Sequence, residues 1–277
     1  MKKIFITYAN EKFALSLKQI LKEANALNIF DRCIGYTPND LPDYIKANPL
    51  MAFKRGGGCW CWKPYIIWKT LQDHPDAIVV YADAGCKLQK AEEWNGWFKE
   101  MEIVDTIVFQ YRSDFDYGWS NIFPEKDPCT KIVAWTKRSV VEYYDTYIGE
   151  TRWHSFPSLM SGVVLAKNGS KIIEEWMSVS LFHPDYFCDA LGIEKTQQDI
   201  TFVEHRHDQS ILSIIVYLAA KKKMKVRILP ETAESRIDSA IVAARRVIKP
   251  VSFKTKIVNK IKHLLGEKLY RKIHPKK

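Results

Sequence analysis

Ala77-Ile78-Val79-Val80-Tyr81-Ala82-Asp83-Ala84-Gly85-Cys86 is the stretch on which the reading of this chain turns. Ala77 to Tyr81 is apolar without alternation, which predicts a short strand covered on both faces, as in a parallel sheet. The next residues put one carboxylate, Asp83, at the carboxyl edge of that strand, where open α/β sheets receive their ligands. The small Ala84 and Gly85 leave room there for something bulky to approach. Asp and Gly after a strand also make ordinary turns, so this stretch alone does not fix a chemistry.

On its N-terminal side the chain reads as strand Lys3 to Tyr8, then helix Lys12 to Ala24 with Phe13, Leu17, Ile20 and Leu21 at helical spacing. A second strand is predicted over Ile29 to Tyr36, a short helix from the Thr37-Pro38-Asn39-Asp40 turn through Ile45, and a helix over Pro64 to Leu71. On the C-terminal side, helices are predicted at Ala91 to Met101, Arg138 to Tyr147, Ser170 to Ser180 and Asp208 to Ala220. Strands are predicted at Thr106 to Tyr111, Ser161 to Ala166 and Lys225 to Leu229. Strands alternating with helices give an α/β domain over residues 1–244, with a mostly parallel mixed sheet flanked by helices.

The chain has 277 residues, of which 47% are hydrophobic and 27% charged, a globular composition that excludes disorder or collagen-like repeats for the bulk. Its net charge is +10, which suggests an anionic partner. The charge is concentrated: Arg245 to Lys277 holds twelve basic residues against Glu267 alone, so the preceding 244 residues are near neutral at −1. Within residues 245–277, Phe253, Ile257, Ile261, Leu264, Leu265, Leu269 and Ile273 recur every three or four positions, predicting an amphipathic basic helix over Val251 to Ile273. Such a helix suits the surface of an anionic membrane, with a helix packed on the domain or on another subunit as the plainer alternatives.

Six cysteines without a CxxC pair suggest neither a disulfide framework nor a zinc site, and a reduced cytosolic chain is the plain expectation. The N-terminal apolar run ends at Asn10-Glu11-Lys12, too short for a signal core, and no run approaches the ~18 apolar residues of a membrane span.

Two further segments can carry chemistry. Arg55-Gly56-Gly57-Gly58-Cys59-Trp60-Cys61-Trp62-Lys63-Pro64 joins three glycines to a helix start, a usual place for phosphate-binding N–H groups and a lysine, although it matches neither the P-loop nor GxGxxG. Trp60 and Trp62 would stack on a base or sugar, or simply fill core. Glu204-His205-Arg206-His207-Asp208-Gln209-Ser210 gathers titratable groups at the start of an apolar helix, where Asp208 also reads as an N-cap.

Together, GGGCWCWKPYIIWKTL, VVYADAGC, WTKRSV, SGVVLAKN and HDQSILS, in that order between Met1 and Pro230, resemble a bacterial GT-A-type glycosyltransferase of capsule or lipopolysaccharide synthesis. The resemblance implies a GT-A-like (Rossmann-like) fold and transfer of a sugar from a nucleotide-sugar donor, usually a UDP-hexose, to a hydroxyl of a glycan or lipid-linked acceptor. YADAG occupies the place of the family's DxD signature: Asp83 matches the first acid, and Gly85 stands where the second should be. A divalent Mn²⁺ or Mg²⁺ held by Asp83 and His207 together with donor phosphate oxygens is the expectation, since hard cations accept few protein ligands when phosphates supply the rest, with neutralisation of the diphosphate by Lys63 and Arg55 as the alternative. By the same resemblance Thr7, Tyr8 and Asn10 would meet the nucleobase and ribose, Lys63 the nucleotide or its phosphates, and Ser161 and Gly162 the transferred sugar. Trp153 and His154 are acceptor-site candidates on position alone. An inverting reaction would assign Asp208 as base; a retaining one would have Asp208 or Gln209 stabilise the cationic centre. The implied location is the cytoplasmic face of the inner membrane, reached through the basic tail.

Two rival classes stand beside this reading. A nucleic-acid-binding protein would want basic residues interleaved with aromatics over a folded face, which the near-neutral body does not offer, so no nucleic-acid partner is expected. A nucleotidyltransferase would want two or three metal-binding acids near the phosphates.

Overall fold

The computed structural model describes residues 1–123, 125, 129–231 and 233–248; the helix expected over Val251 to Ile273 lies outside the described residues. Residues Met1–Arg246 form one compact unit and Val247–Lys277 a second. Arg245 and Arg246, grouped with the tail by charge, therefore belong to the first unit.

The strands of that unit are β1 (Lys2–Tyr8), β2 (Arg32–Tyr36), β3 (Ala77–Ala82), β4 (Lys87–Leu88), β5 (Thr106–Gln110), β6 (Leu159–Lys167), β7 (Val226–Pro230) and β8 (Ile241–Val242). Six of them make the central sheet, in the order β2-β1-β3-β6-β5-β7. β1 pairs parallel with β2 and β3, and β5 parallel with β7. β6 alone runs against its neighbours β3 and β5. A second, antiparallel ladder joins β4 to β8. The α/β class and mostly parallel mixed sheet match the sequence reading, while the two-residue β4–β8 ladder is too short to leave a pattern.

β3 is buried at all six positions, as its unbroken apolar sequence requires. Its side chains still alternate between two cores: Val79 and Tyr81 join one, Ile78, Val80 and Ala82 the other. The first core receives helices α2 (Trp62–Asp73), α5 (Lys171–Phe182) and α6 (Asp208–Lys221) through Ile66, Trp176 and Ile211. The second receives α1 (Ala14–Leu27) and α3 (Glu93–Ile103) through Ile20, Trp94 and Met101. The remaining long helix, α4 (Arg138–Ile148), adds Val140 and Tyr144 to the first core and ends on Gly149 at φ 72°, where glycine carries no steric cost.

The reversed direction of β6 positions the site. Because β3 and β6 are antiparallel, the beginning of β6 lies beside the carboxyl end of β3, with Ala82 opposite Val163. The next pairing brings the Asp83 N–H onto the Gly162 carbonyl at 2.9 Å. Two motifs nearly eighty positions apart in sequence thus meet at one edge. Among the described residues no helix is long and apolar enough to cross a membrane.

Candidate active site

The two-residue period of β3 puts Tyr81 and Asp83 on the same face, the one covered by α2 and α6. Into this corner α2 delivers Lys63 and α6 delivers Asp208. The Lys63 ammonium lies 2.7 Å from Asp208 Oδ2 and 3.4 Å from Asp83 Oδ1, and donates to the Ser161 carbonyl at 3.2 Å. Its side chain is only 1% exposed, Asp208's 5%, and Asp83's 42%, so the network opens outward through Asp83. The Tyr81 hydroxyl donates to Asp83 Oδ1 at 2.5 Å. Across from it, a Cβ on Gly162 would come within 2.9 Å of Asp83 Oδ2, so only glycine lets the carboxylate occupy this position unchanged.

Burial opposes the Lys63 ammonium, yet the carboxylates of Asp208 and Asp83 more than offset it, and its pKa is raised. Burial also raises the proton affinity of Asp208, against the pull of Lys63. The hydroxyl of Tyr81, buried beside Asp83, is pushed well above its ordinary value and stays protonated. The corner therefore holds a fixed cation, a solvent-facing carboxylate and a buried carboxylate.

The segment before α6 divides between two networks. His205 is fully satisfied: its Nδ1 accepts the Lys137 N–H at 3.2 Å and its Nε2 donates to the Tyr186 carbonyl at 2.8 Å, which keeps it neutral and structural. His207 has φ 52° and ψ −119°, a strained backbone for a non-glycine residue. Its Nε2 lies 3.1 Å from Asp189 Oδ1 and has no hydrogen-bond partner. Burial lowers its pKa to about 4, with Asp189 opposing and Arg55 assisting the shift. Arg55 pairs with Glu204 and lies 3.5 Å from Asp189. Arg206 pairs with Glu204 at 3.1 Å, over the Trp135 ring at 4.5 Å. Gln209 donates its amide to Ser158 Oγ at 2.9 Å.

The glycine-rich segment corrects one expectation. Gly56, Gly57, Gly58, Cys59 and Trp60 all have positive φ, forming a left-handed turn. A Cβ on Gly56 would strike the Trp60 ring at 2.3 Å. The N–H groups of Gly57, Gly58, Cys59, Trp60 and Cys61 are consumed inside the turn, on carbonyls between Phe53 and Gly58. They do not form a phosphate cradle; the segment's contribution is to aim Lys63. Arg55 pairs with Glu204 and lies near Asp189, its side chain 45% exposed.

Tyr8 is a second correction. Its ring is stacked on Trp62 at 3.7 Å and almost wholly buried, so this face is closed to a base. Thr7 Oγ1 and Asn10 Oδ1, by contrast, are buried oxygens with no hydrogen-bond partner at the end of β1. Such atoms are rare without a purpose and suit an incoming polar ligand. Trp153 and His154 are not brought to the corner. Trp153 is completely buried, its indole N–H donating to Asp145 Oδ1 at 2.9 Å, and His154 Nε2 shares the same oxygen at 2.7 Å.

The metal implied by the resemblance does not fit the residues present. Asp83 and His207 face different partners, Tyr81 and Lys63 for the one and Asp189 for the other. The Asp83 oxygen Oδ1 already has the Tyr81 hydroxyl and the Lys63 ammonium, so a divalent cation there would sit beside a buried positive charge.

No protein-family model and no curated protein matches the sequence. Solved structures do. Mouse xyloside xylosyltransferase 1 aligns over 83% of this chain and 85% of its own, at 10% identity and a TM-score of 0.42. The galactosyltransferase LgtC, in complex with donor and acceptor sugar analogues, aligns over 76% and 70%, at 14% identity and TM-score 0.36. A glycosyltransferase involved in glycosylation of the major capsid of PBCV-1 aligns over 66% and 69%, at 10% identity and TM-score 0.37. All three are glycosyl-transferring enzymes by name.

Proposed function

We propose that the protein transfers a sugar from a nucleotide-sugar donor, a UDP-hexose, to a hydroxyl of a glycan or lipid-linked acceptor in bacterial surface-polysaccharide synthesis. The observation that carries this reading is the corner itself: a desolvated lysine between a solvent-facing and a buried carboxylate, at the carboxyl edge of the sheet and opposite a glycine notch. Loss of a nucleoside diphosphate requires positive charge at the leaving group and a base for the acceptor hydroxyl. Lys63 supplies a fixed cation, and in a water-poor site its field is weakly screened. Asp208, more basic than an exposed carboxylate through burial, takes the acceptor proton in an inverting reaction. In a retaining one, Asp208 or Gln209 faces the developing positive charge. Asp83 orients the donor through its exposed oxygen, and the unpartnered Thr7 Oγ1 and Asn10 Oδ1 receive the nucleoside.

The basic residues beyond Val247 bring the enzyme to the cytoplasmic face of the inner membrane, where a lipid-linked acceptor would be met. Thermal unfolding of the full chain with a panel of nucleotide sugars, with and without Mn²⁺, tests the donor. Stabilisation by at least one of them is expected; no shift with any would remove the reading.

A further inference from the structure

Main chain from a distant segment packs against the place of the second acid. A Cβ on Gly85 would lie 3.4 Å from Arg245 Cα and from the Arg246 nitrogen, because the segment after β8 crosses directly over the strand-end turn. The crossing is fixed at several points. β8 pairs with β4 immediately before it, and the Arg246 N–H donates to the Gly85 carbonyl at 3.0 Å. The Arg246 guanidinium clasps both Glu23 oxygens at 2.7 and 2.8 Å and also reaches the Cys86 carbonyl. The Ser16 hydroxyl donates to the Arg246 carbonyl at 3.0 Å.

Arg245 sits on this anchored strap with φ 46°, a costly backbone conformation for a long side chain. Its side chain is 61% exposed, and one guanidinium nitrogen contacts Glu234 at 3.0 and 3.1 Å. Arg55 and Arg206, like Arg245, are paired with acids: Arg55 with Glu204 and Asp189, Arg206 with Glu204 and over the Trp135 face. Arg245 has the most exposed side chain of the three and is the one carried over the residue that departs from the acidic motif.

We propose that Arg245 binds the donor diphosphate beside Asp83, supplying from the strap the charge that a metal on a second acid would otherwise bring, with Glu234 holding the guanidinium until the ligand arrives. The inference rests on the nucleotide-sugar reading of the corner. A guanidinium matches phosphate oxygens in a two-pronged contact, and the exchange of one carboxylate for a diphosphate keeps the arginine paired throughout. Lys63 then acts as the buried cation of the pair and Arg245 as the exposed one.

The test is isothermal titration of the full chain, in chelator, with UDP, GDP and CDP and with each parent nucleoside. The wild type is expected to prefer a diphosphate over its nucleoside. Arg245→Gln should weaken the diphosphate about 10- to 100-fold and leave the nucleoside unchanged, as expected for losing a hydrogen bond to a charged group. Arg245→Lys should recover part of the loss, and Glu234→Gln should tighten diphosphate binding by removing a competing anion. An Arg245→Gln protein with wild-type diphosphate affinity overturns the inference and spares the proposed function. Equal loss of nucleoside and diphosphate overturns it too, as would diphosphate binding that appears only with Mn²⁺. A wild type that binds none of these ligands takes both down.

Discussion

Residues 204–209 feed two charged clusters that differ in one respect, access to water. Asp208 turns inward to Lys63, whose side chain is 1% exposed, whereas Glu204 joins Arg55, whose side chain is 45% exposed. The ion pairs are similar on paper but not in consequence. A buried charge stripped of its partner has nothing to replace it, while a half-exposed one is taken up by water and salt. The inner cluster is thus expected to control both stability and chemistry, and the outer one to shape the rim.

Lys63→Met should show the contrast most strongly. It leaves Asp208 and Asp83 buried or half-buried without their cation, a loss of about 3–5 kcal/mol for breaking such a pair. Denaturant unfolding would measure it, and a variant as stable as wild type would mean that the network is not desolvated. His207 offers an intermediate case. Its folded pKa of about 4 lies below the ordinary value of 6.5, so the folded state favours the neutral ring. Stability should be intact above pH 6.5 and fall as pH drops towards 4, by on the order of 3 kcal/mol for a shift of this size. His205, lowered in the same sense by burial, adds to the slope. His207→Asn, which tolerates positive φ, should flatten it in thermal melts across that window. Arg55→Ala should do least, under about 1 kcal/mol, because Glu204 keeps Arg206 as a partner. A larger loss would move the outer cluster into the class of the inner one.

Much of the sheet was legible in the sequence because its strands are short, apolar and bounded. β3 and β6 stand out in this way, and Asp83, Lys63, Ser161, Gly162 and Asp208 all belong to motifs that the fold joins. Tyr81 could have been found from the strand's two-residue period, which places it on the face of Asp83. What escaped depends on long-range closure. The reversal of β6 leaves no local trace, since an unbroken apolar run is the same in either direction. Asp189 has no motif around it. Trp153 was an acceptor candidate on position alone, just before β6, and here the core took it. Arg245 was grouped with the cationic tail by charge alone, although Gly85 hinted that something must pass close by.

Whether the Lys63–Asp83–Asp208 corner transfers sugar is decided by following release of nucleoside diphosphate from a panel of nucleotide sugars, with an added glycan or lipid-linked acceptor or water receiving the sugar, across pH, for wild type and Asp208→Asn. Release by the wild type is expected, with an acid limb above the ordinary carboxylate pKa of 3.8 because burial raises that of Asp208. In Asp208→Asn the rate should fall about 10²- to 10⁴-fold, the usual worth of a positioned base, with nucleotide affinity retained. Consumption of no nucleotide sugar, or full-rate release by a folded Asp208→Asn protein, would refute the assignment.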